Sequence, residues 1–236
     1  MNKLAHVALG IATVNAASYD FRDNGETWGL SFPECKIEVS NQSPIDVVSP
    51  KEVMRTQAYP IIGSEVDKIL KDYNNVKGME INWNGHTSQM DINNAGVYNR
   101  FQKRISGQYN TPSYYAGPME FNALQFHFHT GSEHTVDGYR YDLEMHTVHT
   151  AKEDPGPLDG IGYAAVGIMF DVKFYTAKLS WAEQKVIDNF FDSLEWDTME
   201  GTPVVDIVNY GVLMTMVDFN NRYTYRGSVT TPPCAR

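Results

Sequence analysis

Two histidines one residue apart, a hairpin turn, and a third histidine beyond it constrain this chain more than any other feature. The stretch reads Leu124-Gln-Phe-His-Phe-His-Thr-Gly-Ser-Glu-His-Thr-Val-Asp-Gly-Tyr-Arg-Tyr-Asp-Leu-Glu-Met-His-Thr-Val-His149. Side chains alternate between the faces of a strand, so His127 and His129 point the same way. Asp137-Gly138 between alternating segments is a two-residue hairpin signal. A type I′ turn there pairs Val136 with Tyr139. Continued without a bulge, that register sets His129 directly opposite His146, where paired Cβ atoms lie roughly 4.5–5.5 Å apart. Three imidazoles then converge, which suits a tetrahedral zinc with one open position.

The same register puts Gln125, Glu133, Glu144 and Val148 on the histidine face. Metal-bound histidines donate their second ring N–H to an oxygen acceptor. Gln125 is placed to serve His127, and Glu144 to serve His146. Glu133 falls near the turn, suited to a proton-linked role. His134 and His149 have the opposite parity and read as structural.

The 236-residue length fits one large domain, and 42% hydrophobic residues can fill a sizeable core. No linker-like run or internal repeat divides the chain. A net charge of −10, with no basic tract, argues against nucleic-acid binding. The first 17 residues carry Lys3, then a short apolar run and the small-residue pattern Val14-Asn15-Ala16. They read as a cleaved leader, too short to span a bilayer. With a leader, a disulfide between the only two cysteines, Cys35 and Cys234, is plausible. Closing so long a loop would stabilise the fold by about 4–5 kcal/mol.

Strand-like runs dominate: Lys77–Asn82, Thr87–Ile92, Leu124–Thr130, Arg140–Thr150, Tyr163–Val172, Val204–Asp206 and Arg222–Tyr225. The nearly continuous apolar run Tyr163–Val172 predicts a buried central strand. One helix is expected, opened by the capping box Ser180-Trp-Ala-Glu183 and carrying the stripe Val186, Phe190, Phe191 and Leu194. Asp154-Pro-Gly-Pro157 and Pro232-Pro233 read as breakers. Asn41-Gln42-Ser43 is a glycosylation sequon, disfavoured by the following Pro44. The sum is a mainly β protein built on one large sheet.

An ordered set of further segments accompanies the hairpin. It comprises Trp28-Gly29, Asn41-Gln-Ser-Pro-Ile-Asp46, Asn84-Gly85-His86, Gln125-Phe-His-Phe-His129, Gly131-Ser-Glu-His-Thr-Val-Asp-Gly138, Glu144-Met-His-Thr-Val-His149 and Tyr225-Arg-Gly-Ser-Val-Thr-Thr-Pro-Pro233. Together they resemble the α-class carbonic anhydrases, and between His129 and Glu133 the bacterial, plant and algal forms. The resemblance implies one domain over residues 18–236, a large twisted mixed, mostly antiparallel β-sheet with a few short peripheral helices. It implies zinc held by His127, His129 and His146, and reversible hydration of carbon dioxide to bicarbonate by a zinc-activated water. Gln125 and Glu144 would support the ligands. Thr230 and Glu133 would orient the nucleophile, and His86 would shuttle the proton. Val148 and Val229 would line the carbon dioxide pocket, and Thr231 would position bicarbonate. Cys35 and Cys234 match the disulfide of extracellular members, implying a secreted, periplasmic or organelle-lumenal location.

The chain departs from the family at Leu30, Ala165 and Val229. It also ends two residues after Cys234, which implies that the family's C-terminal segment is lacking. Two other readings compete. A non-catalytic storage, matrix or binding protein could use the same scaffold. A cupin-like jelly roll would take Glu133 as a ligand and a remote histidine as the last one.

Overall fold

The structure is a computed structural model that describes residues 19–23, 25–36, 41–48, 59–62, 71–83, 86–92, 95–100, 119–152, 162–196, 204–219 and 221–235. The leader expected over residues 1–17, the pair Asn84-Gly85 and the breaker Asp154-Pro-Gly-Pro157 lie outside them. The strands are β1 (Asp46–Val47), β2 (Tyr59–Ile62), β3 (Lys71–Tyr73), β4 (Val76–Trp83), β5 (Ser88–Asp91), β6 (Gly96–Arg100) and β7 (Met119–Thr130). They continue with β8 (Thr135–Val136), β9 (Tyr139–Arg140), β10 (Leu143–Ala151), β11 (Tyr163–Phe170), β12 (Val204–Val208) and β13 (Asn221–Thr224). The helices are α1 (Trp28–Ser31), α2 (Val172–Lys178), α3 (Trp181–Asp192) and α4 (Tyr210–Met216).

Eight strands share one sheet, in the order β11-β10-β7-β5-β4-β12, with β6 beside β7 and β3 beside β6. Every pairing in it is antiparallel. The one parallel pairing among the described residues joins β1 to β8 in a small separate sheet. This is the expected mainly β architecture of a large, mostly antiparallel sheet with a few short helices, its parallel pairing lying outside the eight-stranded sheet.

Alternation along β7 divides core from site. Phe126 and Phe128 are buried on one face, where they meet Phe190 of α3. His127 and His129 take the other face. On β10, Met145, Thr147 and His149 face the core, and Glu144, His146 and Val148 take the histidine side. Thr147 bonds Tyr210 (3.0 Å) and His149 bonds Tyr73 (2.7 Å), so these polar groups are buried with partners. Helix α3 forms as expected: the Ser180–Glu183 capping box closes its first turn, and Phe190 and, just beyond its end, Leu194 are fully buried.

Two expectations fail. The run Tyr163–Val172 is not a buried central strand. Among the described residues β11 ends the sheet and pairs only with β10. Ala164, Val166, Ile168 and Phe170 pack on the core, whereas Tyr163, Ala165 and Gly167 are exposed. Small residues on the open face make the hydropathy look continuous when one face alone is covered. The strand also stops at Phe170, because Asp171 caps α2 by accepting from Phe174 N–H. Helix α4 was also not expected. It has no side-chain cap and is held by burial of Tyr210, Gly211, Leu213 and Met214. Gly211 lies so close to the Tyr73–Asn75 backbone that an added Cβ would sit 2.6 Å from Tyr73 O.

Candidate metal centre

The turn forms where the sequence places it. Asp137 and Gly138 both adopt positive φ, 50° and 76°, as a type I′ turn requires. Thr135 pairs with Arg140 and Val136 with Tyr139. Asp46 holds this tip, its Oδ1 accepting from Thr135 Oγ1 (2.6 Å) and Gly138 N (2.9 Å).

Below the tip the register changes. Ser132 N donates to Tyr141 O and Gly131 N to Asp142 O, both at 2.8 Å. Leu143 then pairs with Thr130, and His146 pairs with His127, not with His129 as the simple register predicts. Glu144 stands opposite His129. Glu133 and His134 are the cause: they are two extra residues on one side of the hairpin, outside the ladder. An insertion of two keeps side-chain parity, so the three histidines still share a face.

The ring centroids are 5.0 Å apart for His127 and His129, 5.3 Å for His127 and His146, and 4.7 Å for His129 and His146. One ring nitrogen from each lies within 4.8 Å of the others. Gln125 Oε1 is 2.8 Å from His127 Nδ1, and Glu144 Oε1 is 2.7 Å from His146 Nε2. These contacts leave His127 Nε2 and His146 Nδ1 for a ligand. His129 Nε2 is buried with no hydrogen-bond partner among the described residues, 3.4 Å from the equally unpartnered Glu133 Oε2. A buried ring nitrogen left without a partner is costly unless something binds it. Neutral nitrogen donors with supporting oxygens fit zinc.

Electrostatics agree with that donor set. Burial, and then the neighbouring His146, push His127 down to about 4 and His129 down to about 3. Both rings are therefore neutral near pH 7, the state that ligates a cation. Burial raises the Glu133 carboxyl, and a hydrogen bond with the Thr230 side chain opposes the rise. Burial also disfavours an ionised Glu144, but hydrogen bonds from His134 and His146 more than reverse it and hold the carboxyl well below its usual range.

His134 is the residue that parity misjudged. Its backbone N–H donates to Glu144 Oε2 (2.9 Å), its Nδ1 meets Glu144 Oε1 (2.7 Å), and its Nε2 meets Tyr225 OH (2.6 Å). Lying in the two-residue insertion, it turns back under the histidine face. Its ring atoms, with Glu144 and His146, form a second close cluster. There the groups hydrogen bond to one another, unlike the open nitrogens of the first. Sequence reasoning also missed Tyr225 and Ser43, although both lie in quoted motifs.

The other expected residues occupy varied positions. His86 is half-buried and stacks on Tyr19, ring centroids 4.0 Å apart. Val148 is half-buried between Gln125 and Ala165 on the neighbouring strands. Val229 is exposed, its N–H bonded to Ala235 O. Thr231 O accepts from Cys234 N. Cys35 and Cys234 form a disulfide, Cα atoms 5.2 Å apart, which ties the segment after Thr231 to the turn after α1. The open eight-stranded sheet and the third histidine on β10 leave no place for the cupin reading.

Comparison with known proteins gives a consistent result. A family profile described as eukaryotic-type carbonic anhydrase matches residues 23–236. Carbonic anhydrase 6 of Mus musculus is 28% identical over 244 residues, covering 96% of this chain and 67% of the relative. A carbonic anhydrase of Nostoc sp. is 27% identical, covering 89% of this chain and 66% of the relative. The chain thus spans about two thirds of the length of these curated relatives. The solved structure of the Photobacterium profundum alpha-carbonic anhydrase is 25% identical, with a TM-score of 0.58, covering 92% of this chain and 80% of that one.

Proposed function

The chain belongs to the eukaryotic-type carbonic anhydrase family, and from that premise we propose that it is a zinc enzyme interconverting carbon dioxide and bicarbonate. The observation that carries the reading is the convergence of His127, His129 and His146, with His129 Nε2 buried and unpartnered beside Glu133. Zinc would be held through His127 Nε2, His129 Nε2 and His146 Nδ1. When bound, it lowers the pKa of a coordinated water to about 7 and so supplies a nucleophile at neutral pH.

The remaining work falls to the chain. Thr230 donates its hydroxyl proton to Glu133, which leaves the Thr230 oxygen to accept from the attacking water and direct its lone pair. Val148 and Val229 offer an apolar wall to carbon dioxide, which has no need of a hydrogen-bonding pocket. Thr231 positions the bicarbonate product. His86 takes up the released proton and passes it to solvent, a task suited to a group titrating near neutrality. The Cys35–Cys234 disulfide supports an oxidising compartment, outside the cell, in a periplasm or in an organelle lumen. The non-catalytic alternative is disfavoured, because both the ligand histidines and the Glu133–Thr230 pair are retained.

The test is exchange of 18O between labelled carbon dioxide and water, with zinc counted per chain. One zinc and catalysed exchange support the reading. Zinc without exchange would favour a binding protein on this scaffold.

A further inference from the structure

Where the hairpin ladder breaks, one buried serine replaces backbone bonding with its side chain. In a regular antiparallel pair two opposed residues can exchange both N–H···O bonds. Ser132 N donates to Tyr141 O at 2.8 Å, but Tyr141 N does not donate back to Ser132 O. It donates instead to Ser132 Oγ, at 2.9 Å. Ser132 O accepts from Arg140 Nη1. Having accepted, the Ser132 hydroxyl gives its own proton to His134 O at 2.6 Å. That bond draws residues 132 and 134 together, and only Glu133 lies between them. Ser132 is fully buried, so none of these groups can turn to water in place of its partner.

We propose that Ser132, with Arg140 on its carbonyl, is a positioning residue for Glu133: by closing the bend around that single residue it aims the Glu133 carboxyl at the metal centre. The inference rests on the zinc reading above and extends it to two residues outside the proposed ligands and reacting groups. Glu133 belongs to neither ladder, β7–β10 below it nor β8–β9 above it, so the bend and not the sheet sets its direction. The place it reaches is specific. Its Oε2 lies 3.4 Å from His129 Nε2 and 3.8 Å from His146 Nδ1, and it bonds the Thr230 side chain. The turn tip is held separately by Asp46, through Thr135 and Gly138. Removing the Ser132 hydroxyl therefore loosens the bend rather than the turn.

The test compares the whole zinc-loaded chain as wild type, Ser132→Ala, Glu133→Ala and the double variant. Stopped flow gives kcat/KM for carbon dioxide hydration, and metal analysis gives zinc per chain. Ser132→Ala keeps its zinc and loses about 10- to 100-fold in kcat/KM, the scale of a small misplacement of a reacting group. In the Glu133→Ala background the same change costs nothing further, because a positioning residue acts only through the group it positions. A Ser132→Ala protein with wild-type kcat/KM overturns the proposal. So does a loss of equal size with and without Glu133, which general loosening of the hairpin would give, and so does loss of zinc from Ser132→Ala. If Ser132→Ala does not fold, Arg140→Met takes its place in the cycle, with a loss of about 5-fold expected for one hydrogen bond and the same overturning results. A wild type that neither binds zinc nor hydrates carbon dioxide defeats the carbonic anhydrase reading instead. Crystal structures of the metal-free wild type and variant then decide the proposal: Glu133 Oε2 moves away from His129 in the variant, and an unmoved carboxyl overturns it.

Discussion

Glu144 Oε1 lies 2.7 Å from His146 Nε2, and this contact decides which nitrogen of His146 is left for a metal. The carboxyl is fully buried and also serves the His134 ring and backbone. Glu144→Ala should therefore weaken zinc binding about 10- to 100-fold, as loss of a ligand's carboxylate partner does. Chelator competition measures it. Affinity unchanged from wild type would mean that the carboxylate orients nothing.

Thr230 bonds the half-buried Glu133, whose Oε2 lies 3.8 Å from His146 Nδ1 and 3.4 Å from His129 Nε2. Neither residue is among the three proposed ligands. Thr230→Ala should leave one zinc per chain and lower kcat/KM for hydration about 100-fold, the scale of losing one preorganised hydrogen bond at the reacting atoms. Stopped-flow rates paired with metal analysis separate this from loss of the ion.

His149 contributes a pH dependence that has nothing to do with the metal. Burial pushes its ring down to about 4 from 6.5, and its Nε2 is paired with the Tyr73 hydroxyl. As pH falls, the unfolded chain takes up this proton before the folded one. The contribution is complete above about pH 6.5 and is lost as pH falls towards 4. The difference amounts to about 3 kcal/mol. Denaturant titrations should show a shallower loss between these limits in His149→Gln than in wild type, and parallel curves would contradict the assignment.

How far the sequence carried this account depends on the interaction involved. Side-chain alternation is a local rule, so the shared face of His127, His129 and His146 was legible, as were Gln125 and Glu144 beside them. The positive-φ turn at Asp137-Gly138 was legible for the same reason. The partner of His146 was not, because register depends on the chain's path between turn and strand, and nothing in Glu133-His134 announces two residues outside the ladder. That insertion also brings His134 back to Glu144 against its apparent parity. Helix α3 declared itself through its capping box. Helix α4 did not, since its stability comes from burying Tyr210, Leu213 and Met214, a tertiary effect that outweighs weak local signals. The cap at Asp171 was available but was hidden by the apolar run before it.

The disulfide closes most of the chain into one loop, joining cysteines 199 residues apart. Its removal by Cys35→Ser should lower unfolding stability by about 5 kcal/mol, on the loop-entropy estimate. It should also loosen the Thr230 segment, which ends in Cys234. Thermal unfolding with and without reductant provides the measurement, and identical midpoints would show the bond to be dispensable.

The central claim is that His127, His129 and His146 hold a zinc that hydrates carbon dioxide. Stopped-flow hydration by wild type and His129→Ala, with zinc content determined on both, tests it most directly. The account predicts zinc-dependent hydration by wild type, with both bound zinc and rate lost in His129→Ala. A His129→Ala protein that kept wild-type zinc and rate would contradict it.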